Sequence, residues 1–496
     1  MTVSALYQRY LEHLGGLHAL SSALSLLGWD QETFMPPRGI ENRAATRSHL
    51  AGLAHDGTVD PAFGELLDEL AASGLDDVRA ASVRETRRDR DRSVKVPRKL
   101  VTELSRVTAM AQQAWVTARK NDDWATFAPL LTQVVDLRRQ EAEAVGYEAE
   151  PYDALLDQYE PDMRTAVLEP VFAELRPALV AMTAEIADRQ NDVAADVLLG
   201  EWPVPAQEKL SRRLLDAMGF DFEAGRLDTS AHPFTSGASP LDIRLTTAYD
   251  PADPAKGIYS TIHEGGHGLY EQGLPTEHSG TPLGEACGLG MHESQSRSWE
   301  NQVGRSRAFM DFLLPHIVDL FPERAVGLTA DSLFAALNVV HPSLIRIDAD
   351  EVTYNLHIAL RFELERALFR GEIDVAELPD LWREHMTSDL GVTPTGDRDG
   401  VLQDIHWSFG AFGYFPTYTL GNLYAATLFR AAGDSLGDLD TMMARGDFSP
   451  LLGWMRDNVH VHGRRWSADE LCRRATGRGL NCDDFLNHLR AKFGVS

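Results

Sequence analysis

Apolar residues recur through most of this chain at intervals of three and four positions, the spacing that lines one face of an α-helix. The pattern is clearest in seven segments, residues 6–27, 99–118, 124–145, 163–187, 208–218, 353–369 and 417–432. Glycine and proline interrupt helices, and they indicate stops at Gly15, Gly16, Gly146, Pro151, Gly219 and Gly371. The chain is therefore predicted to be mainly α, a large multi-helix fold.

One segment, residues 241–249, breaks the helical pattern. Its apolar and polar positions alternate, with threonine and isoleucine among them, and the turn-forming run 236–240 precedes it. Alternation of this kind predicts a short strand or hairpin arm. The strand would lie just before residues 258–272, and a strand edge at such a place can pair with an extended peptide.

Two further stretches are predicted to be helical at the surface. Residues 79–99 form a basic run, but Glu85, Asp89 and Asp91 lie among the arginines, which indicates a solvated helix with ion pairs. Residues 467–496 are predicted to form two surface helices. Since no low-complexity linker or internal repeat divides the sequence, we predict a single domain over residues 1–496, in which two helical lobes can flank a cleft.

Composition limits the classes of function. The 496 residues carry 74 acidic and 47 basic side chains, a formal net charge of -27, so nucleic acids and anionic membranes would be repelled. The cysteines Cys287, Cys472 and Cys482 suit neither a disulfide framework nor a cysteine-based zinc site. With no signal peptide and no segment able to span a bilayer in the sequence, we predict a cytoplasmic protein.

The most specific chemical signal is the sequence His263-Glu264-Gly265-Gly266-His267, which lies in the potentially helical segment 258–272. Residues four apart share one face of a helix, so both imidazoles can bind one metal ion. Glu264 would then lie beside the metal and could take a proton from water, as in zinc hydrolases. Glycine costs about 1 kcal/mol relative to alanine inside a helix, so the glycines in and just after the motif predict a close approach by another backbone or a substrate.

The metal site needs a third protein ligand, because catalytic zinc sites use three and leave one position for water. His278, Glu285 and Glu293 follow closely in the sequence. The elongated motif with a third histidine is excluded, since Gly273 stands at that position. Spacing alone leaves Glu285 and Glu293 about equal. Glu293 lies in residues 292–297, which have helical character and could pack beside the helix that carries the histidines.

Six short motifs follow one another between residues 232 and 407. They are His-Pro-Phe at 232–234, Asp-x-Arg-x-Thr at 242–246, the metal motif at 263–267, His-Glu-Ser-Gln-Ser-Arg at 292–297, Ile-Arg-x-x-Ala-Asp at 345–350 and Gly-x-x-Gln-Asp-x-His-Trp at 400–407. Together with Trp-Asp-Gln-Glu-Thr-Phe-Met-Pro at 29–36, they resemble the motifs of the Taq-type metallocarboxypeptidases, the thermostable carboxypeptidase family. No motif position departs from the family pattern.

The resemblance implies a saddle-like helical fold with a deep active-site groove. It implies hydrolysis of the C-terminal peptide bond of peptides, with broad specificity and poor action before a C-terminal proline. It further implies one Zn²⁺ or Co²⁺ per chain, a homodimer, and Glu293 as the third ligand beside His263 and His267. Glu264 would act as general base on metal-activated water and then pass the proton to the leaving amine.

Residues 406–418 contain the groups expected to stabilise the oxyanion of the tetrahedral intermediate. The resemblance to related peptidases implies a histidine and a tyrosine, which are His406 with Tyr414 or Tyr418 in this chain. We favour Tyr414, because the glycines around it can let it turn into a cleft, and Tyr418 then becomes a candidate for substrate binding. The alternative for Tyr414 is an aromatic ring packed in the core.

A carboxypeptidase must also hold a free carboxylate, which a buried arginine binds well because its planar group donates two parallel hydrogen bonds. Arg346 is the first candidate and Arg244 the second. The alternative for Arg346 is an internal ion pair, because Asp348 and Asp350 stand beside it in the sequence.

Three other motif residues are predicted to serve the substrate or its surroundings. His232 can bind the substrate backbone, or it can only shape the turn before Pro233. Gln403 is a candidate for substrate binding, and with Asp404 it can orient neighbouring groups. Asp404 can instead be the hydrogen-bond partner of a metal-binding histidine.

Two rival functions fit parts of the sequence. An endo-oligopeptidase or a dipeptidyl carboxypeptidase would use the same groove and differ in where that groove is closed. A non-catalytic peptide-binding scaffold would usually have lost a member of the metal and base set, and His263, Glu264, His267 and Glu293 are all present. A metal-dependent carboxypeptidase is therefore the favoured function.

Overall fold

The structure, a computed structural model, describes residues 2–190 and 195–495. The predicted single domain also includes residues 1, 191–194 and 496, and the predicted C-terminal helical stretch ends at residue 496. These residues lie outside the described residues. The described ranges contain twenty α-helices: α1 Val3–Thr33, α2 Ile40–Val59, α3 Pro61–Ala71, α4 Asp77–Lys95, α5 Arg98–Asn121, α6 Trp124–Val145, α7 Pro151–Leu156, α8 Thr165–Arg189, α9 Val204–Met218, α10 Pro254–Gly273, α11 Leu289–Arg297, α12 Arg307–Leu320, α13 Ala330–Leu337, α14 Tyr354–Arg370, α15 Leu378–Leu390, α16 Pro416–Leu436, α17 Leu439–Ala444, α18 Ser449–Asn458, α19 Ala468–Thr476 and α20 Asp483–Phe493.

A small three-stranded sheet accompanies the helices. Its strands are β1 Gly225–Thr229, β2 Thr235–Ser239 and β3 Asp242–Thr247. The central strand is β3, which is parallel to β1 and antiparallel to β2. It packs against α10, since a Cβ atom at Gly268 of that helix would lie 2.7 Å from the Leu245 side chain. The prediction of a mainly α fold with a small β element beside the histidine-bearing helix is confirmed.

All seven helices predicted from periodicity are present, as α1, α5, α6, α8, α9, α14 and α16. The predicted stop at Gly15 and Gly16 is wrong, because α1 continues through both glycines. Leu6, Tyr10 and Leu14 of α1 are buried in a cluster with residues of α3. Tertiary packing of this kind outweighs the local cost of two helical glycines, which is about 2 kcal/mol.

The predicted turn at residues 236–240 is also wrong, because most of it forms the edge strand β2. Small polar residues leave that strand with little apolar character, and its carbonyl groups find partners far along the chain. Ser22 and Ser25 of α1 donate hydrogen bonds to the carbonyl oxygens of Ala238 and Gly237 at 3.2 and 2.9 Å. The strand predicted at 241–249 is confirmed as β3, whereas β1 was not predicted.

Other helix boundaries follow local signals. Gly146, Gly219 and Gly371 follow α6, α9 and α14 with positive φ angles, which glycine adopts without steric cost. Pro151 does not stop a helix but begins α7, where its missing N–H group is tolerated. At the start of α10, the Asp253 carboxylate accepts a hydrogen bond of 3.0 Å from the Ala255 backbone N–H.

The basic run at residues 79–99 forms most of α4, as predicted, but this helix is not solvated on every side. Glu85 is buried, and it lies 3.5 Å from the Arg464 guanidinium, which also pairs with Asp89. The two predicted C-terminal helices are present as α19 and α20. Each buries one face, with Leu471 and Phe485 fully enclosed.

The chain divides into two compact units. Unit 1 comprises Met1–Val94, Ala194–Leu337 and Tyr424–Gly479, and unit 2 comprises Lys95–Val193, Asn338–Leu423 and Leu480–Ser496. The sheet, α10 and α11 belong to unit 1, and α14 belongs to unit 2. The single domain over residues 1–496 stays a prediction. None of the described helices combines the length and the apolar composition that crossing a bilayer requires.

Candidate active site

Two histidines of α10 and one glutamate of α11 form a compact group in unit 1. The Nε2 atoms of His263 and His267 lie 3.8 and 3.4 Å from the Glu293 Oε2 atom. One potential ligand atom from each side chain lies within 4.8 Å of the others. Because the histidines are one helical turn apart, they present their nitrogens on the same face, as their spacing predicted.

The glycines of α10 explain how Glu293 reaches this position. A Cβ atom at Gly266 would lie 2.6 Å from the Ser296 Cα atom and 2.8 Å from the Gln295 carbonyl oxygen, so α10 and α11 touch backbone to backbone. A Cβ atom at Gly265 would lie 2.6 Å from the Leu215 side chain. The predicted close approach of another backbone to this helix is confirmed, and it is what places α11 beside the histidines.

A carboxylate that was not predicted holds the first histidine. Glu300 lies in a π-helical turn, Ser298–Val303, that directly follows α11, and such turns are frequent at functional sites. Its Oε2 atom is 2.8 Å from the His263 Nδ1 atom. This contact fixes the ring so that Nε2 faces Glu293, as metal-binding histidines require.

Arg297 links the two carboxylates of the site. It donates hydrogen bonds of 2.7 Å to Glu293 and 3.0 Å to Glu300. Burial raises the pKa of Glu300, but Arg297 and His263 outweigh it and leave that pKa at about 2. The pKa of Glu293 is likewise held well below its usual range, because Arg297 and His263 outweigh burial. Both carboxylates are therefore ionised at neutral pH.

His267 is held by a second imidazole. The Nδ1 atom of His292 lies 2.6 Å from the His267 Nδ1 atom, and its Nε2 atom lies 2.7 Å from the Glu271 Oε1 atom. Burial lowers the pKa of His267 to about 3, so its ring is neutral. If Nε2 of His267 binds a metal, its Nδ1–H group must donate to His292, whose Nε2–H group then donates to Glu271. The chain of contacts thus selects one tautomer for each ring.

The donor set fits a zinc-type ion. Two imidazole nitrogens and one anionic oxygen are the ligands of a catalytic zinc site that keeps one position open. Within the described ranges, this is the one group in which three histidine, cysteine, aspartate or glutamate side chains come together in this way. His263, His267 and Glu293 are therefore the residues that would hold the metal.

Substituting His292→Ala is expected to weaken metal binding by roughly 10- to 100-fold, because the ring of His267 loses the partner that fixes its tautomer. Competition with a coloured chelator measures the affinity directly. His278→Ala is a matched control, since His278 lies in the short 3-10 helix Thr276–His278 outside the ligand group. An unchanged affinity in His292→Ala would show that this contact does not support the metal ligand.

Glu264 faces the sheet from α10. Its Oε2 atom accepts a hydrogen bond of 2.6 Å from the Thr235 hydroxyl group of β2. Only 6% of the residue is exposed. Burial raises the pKa of Glu264, and the nearby His263 and the Thr235 hydrogen bond offset part of that rise. A carboxyl group with a raised pKa is better suited to accept a proton than one with the usual pKa.

The other two candidates for the third ligand lie outside the ligand group. Glu285 has 60% of its side chain exposed and lies 3.8 Å from the Arg464 guanidinium. The His278 carbonyl oxygen accepts hydrogen bonds from Thr281. The ligand group therefore favours Glu293, as the resemblance implied. Gly273, which excluded a third histidine, ends α10 against the His460 ring.

A second set of predicted residues meets in unit 2. Arg346 is buried and donates to Asp404, with its Nη2 atom 2.8 Å from the Oδ1 atom. The ion pair considered for Arg346 therefore exists, but its partner is not Asp348 or Asp350. Asp350 instead accepts hydrogen bonds from the backbone around α14.

Gln403 and Asp404 each contact several neighbouring groups, and their orienting role stays a prediction. The Gln403 Oε1 atom accepts hydrogen bonds from the Arg346 backbone N–H (2.8 Å) and the Arg361 Nη2 atom (2.9 Å). Its Nε2 atom donates to the Leu344 carbonyl oxygen at 2.9 Å. Both oxygens of Asp404 are engaged by arginines. The carboxylate beside His263 is Glu300, so the alternative role considered for Asp404 belongs to Glu300.

His406 and the two candidate tyrosines form an aromatic cluster in the same unit. The ring of Tyr414 lies 5.4 Å from the rings of His406 and Tyr418. Burial lowers the pKa of His406 to about 4, so its ring is neutral and keeps one N–H donor. Tyr414 and Tyr418 are both half-buried, so neither ring is enclosed in the core. Gly413, with a φ of 83°, sets the backbone just before Tyr414.

The two remaining candidates lie near the sheet of unit 1. His232 is exposed, and its carbonyl oxygen accepts a hydrogen bond of 2.7 Å from Ser230. Arg244 on β3 pairs with Asp242 at 2.9 Å and lies over the Trp29 ring at 4.4 Å. The guanidinium of Arg244 therefore already has an anionic partner and an aromatic one.

Several residues that shape these groups were not predicted from the sequence. Thr235, Glu300 and Arg361 contact Glu264, His263 and Asp404, respectively. Arg361 carries little signal, because the same periodic segment 353–369 also contains Glu363, Glu365 and Arg366. Thr235 and Glu300 carry none, since their roles depend on an unpredicted strand and a π-helical turn.

Comparison with known proteins gives one consistent result. The family model described as "Carboxypeptidase Taq (M32) metallopeptidase" matches residues 9–493. Thermostable carboxypeptidase 1 of Thermus thermophilus is 44% identical, over 100% of this chain and 99% of that protein. Carboxypeptidase 1 of Bacillus subtilis is 34% identical, over 99% of each. The crystal structure of the M32 carboxypeptidase from Deinococcus radiodurans superposes with a TM-score of 0.96 at 40% identity, over 99% of both chains.

Proposed function

Because this chain belongs to the carboxypeptidase Taq (M32) metallopeptidase family, it is a metal-dependent carboxypeptidase, and we propose how its own residues carry out the hydrolysis. The observation that carries the proposal is the group of His263, His267 and Glu293 with Glu264 beside it. Two imidazoles, one carboxylate and an adjacent buried carboxyl group are what metal-assisted hydrolysis of a peptide bond needs.

We propose that His263, His267 and Glu293 hold one Zn²⁺ or Co²⁺ ion per chain. When bound, such an ion supplies Lewis acidity, which lowers the pKa of a water molecule and polarises the scissile carbonyl group. Glu300 and His292 keep the two imidazoles in the tautomers that leave Nε2 free to bind. Arg297 keeps Glu293 ionised.

Glu264 is proposed as the general base. It takes a proton from the attacking water and later delivers it to the leaving amine. The Thr235 hydroxyl group holds its carboxylate in place, and burial raises its pKa, which makes it a stronger base than an exposed carboxylate.

His406 and Tyr414 are proposed to stabilise the oxyanion, with Tyr418 as the alternative tyrosine. Neutral His406 and the phenol groups offer N–H and O–H donors, which is the requirement for oxyanion stabilisation. Arg346 is proposed to bind the C-terminal carboxylate of the substrate, with Gln403 orienting it. Arg244 and His232 are proposed to line the substrate path along the sheet. These roles rest on side-chain chemistry and on the motifs that these residues share with the family.

The substrate range and assembly are proposed on the same family basis. We expect broad specificity toward peptides, with poor action before a C-terminal proline, and a homodimer. The cytoplasm is the proposed compartment, because Cys287, Cys472 and Cys482 are buried and form no disulfide among the described residues, a pattern typical of reducing surroundings.

Paired peptides that differ only at the C-terminus test the function. A peptide with a free carboxylate is expected to be cleaved roughly 10²-fold faster than its amide, since the amide offers no negative charge for Arg346 to bind. Mass spectrometry should show the loss of single residues. Equal rates on the acid and the amide would refute the carboxypeptidase assignment, and release of dipeptides would indicate a dipeptidyl carboxypeptidase.

A further inference from the structure

Two buried arginines of unit 2 share a single carboxylate. Arg346 and Arg361 expose only 5% and 0% of their surfaces. Arg346 Nη2 lies 2.8 Å from Asp404 Oδ1, and Arg361 Nε lies 2.8 Å from Asp404 Oδ2. Arginine stays protonated in proteins, so Asp404 neutralises only one of the two guanidinium groups. The cluster holds one positive charge in excess.

The titratable groups around the cluster do not fully cancel this charge. Burial lowers the pKa of His357 to about 3 and that of His406 to about 4, so both rings are neutral. Glu365 is a buried carboxylate one turn beyond Arg361 in α14, and burial raises its pKa to about 7, so it carries only part of a charge at neutral pH. Its oxygens accept hydrogen bonds from Tyr152 (2.7 Å) and Trp407 (2.6 Å).

Both arginines are fixed in place. Gln403 Oε1 accepts hydrogen bonds from the Arg346 backbone and from the Arg361 side chain, and Arg361 Nη1 donates to the His357 carbonyl oxygen at 2.6 Å. Arg346 Nη1 donates to the Tyr354 hydroxyl group at 3.0 Å. A rigid, desolvated site with one excess positive charge is unfavourable until an anion of single charge completes it.

We propose that Arg361 is a positioning residue that determines the specificity for a free C-terminal carboxylate. It binds the second oxygen of Asp404 and thereby supplies the excess positive charge that attracts the substrate carboxylate. The inference rests on the proposed function, in which Arg346 contacts that carboxylate. Because Arg361 is fully buried, it acts on the substrate through Asp404 and not by contact. Without Arg361, Asp404 and Arg346 would form a neutral pair, and a substrate carboxylate would meet no net attraction.

Charge-changing variants test this role, with the ratio of kcat/KM for a free-acid peptide to that for its amide as the readout. Arg361→Gln leaves Asp404 paired with Arg346, so no charge is buried alone. It is expected to lower the ratio on the order of tenfold, mainly through KM for the acid. Asp404→Asn puts two positive charges in excess and is expected to keep or raise the ratio. The double variant R361Q/D404N restores one excess charge and should recover most of the preference.

The inhibition constants of an N-acyl amino acid and of its amide give the same comparison without any cleavage of a peptide bond. Arg366→Gln is the matched control, because Arg366 is a buried arginine of the same helix that pairs with Glu150 instead, and its ratio should equal that of the wild type. If Arg361→Gln does not fold, Asp404→Asn and the double variant still decide the matter by the direction of change.

Three outcomes separate the two proposals. A wild-type enzyme without preference for the free acid would overturn the proposed function itself. If the wild-type preference survives in Arg361→Gln, the role of Arg361 is overturned while the proposed function stands. The same holds if the preference falls in Asp404→Asn and is not recovered in the double variant. Equal losses on acid and amide in every variant would reveal a structural role only.

Discussion

Replacing Glu264 with glutamine is expected to lower kcat/KM by roughly 10²- to 10⁴-fold, the usual contribution of a positioned general base. Glutamine has the shape of glutamate but cannot take a proton from water. The loss should appear in kcat more than in KM, because the proton transfer belongs to the transition state. Steady-state kinetics on an N-blocked peptide measure it.

The same variant should keep its metal and its fold. Glu264 is not a member of the ligand group, and the Thr235 hydroxyl group can donate to the amide oxygen of the new side chain as it does to the carboxylate. Metal content and thermal melting check both points. Glu277→Gln, at an exposed position in the same region, is the isosteric control and should remain fully active. Substantial turnover by Glu264→Gln would refute the role of general base.

Local patterns were enough to predict the histidine-bearing helix. The helix was predicted over residues 258–272 and begins earlier, at Pro254, and the spacing of His263 and His267 places both rings on one face as predicted. The glycines, which are poor residues for an isolated helix, correctly indicated that another backbone lies close. Each of these signals concerns residues within a few turns of one another, so it can be recognised without knowledge of the rest of the fold.

What the sequence did not predict depends on contacts between distant segments. The strand β2 looks like a turn because its own residues are small and polar, and it becomes a strand through its pairing with β3 and its hydrogen bonds to α1. Glu300 reaches His263 only because a π-helical turn follows α11. Arg361 and Asp404 are 43 residues apart, and no local pattern joins them.

The two side-chain groups differ in how their charges are balanced. In unit 1, Glu293 and Glu300 are ionised beside neutral His267, and Arg297 stands between the two carboxylates. This arrangement suits a cation. In unit 2, two arginines share Asp404, which suits an anion. A metal ion and a peptide carboxylate are the complementary ligands, and the family activity requires both.

Replacing Glu293 with glutamine is expected to weaken metal binding by at least about 10²-fold. Zinc binding to a four-ligand protein site is worth about 10–16 kcal/mol, so each ligand contributes about 3 kcal/mol on average. An amide oxygen is a weaker ligand than a carboxylate for such an ion. Chelator competition measures the change in affinity, which should exceed that of His292→Ala, because Glu293 would bind the metal directly.

The control for this variant is Glu285→Gln, since spacing in the sequence did not separate Glu285 from Glu293 as the third ligand. Glu285 is largely exposed and lies beside Arg464, so its variant should bind metal as the wild type does. Equal effects of the two substitutions would contradict the assigned ligand set. Arg297 keeps its contact with Glu300 when Glu293 is replaced, so the apo protein should remain folded.

Thermal melting gives a second readout of the same substitution that does not depend on activity. A ligand that binds only the folded state stabilises it by about 2.7 kcal/mol when present at about a hundred times its dissociation constant. Added Zn²⁺ should therefore raise the Tm of the wild type and of Glu285→Gln but leave that of Glu293→Gln nearly unchanged at the same concentration. A full metal-induced shift in Glu293→Gln would mean that the ion is held by other residues, and the ligand group inferred from α10 and α11 would then be wrong.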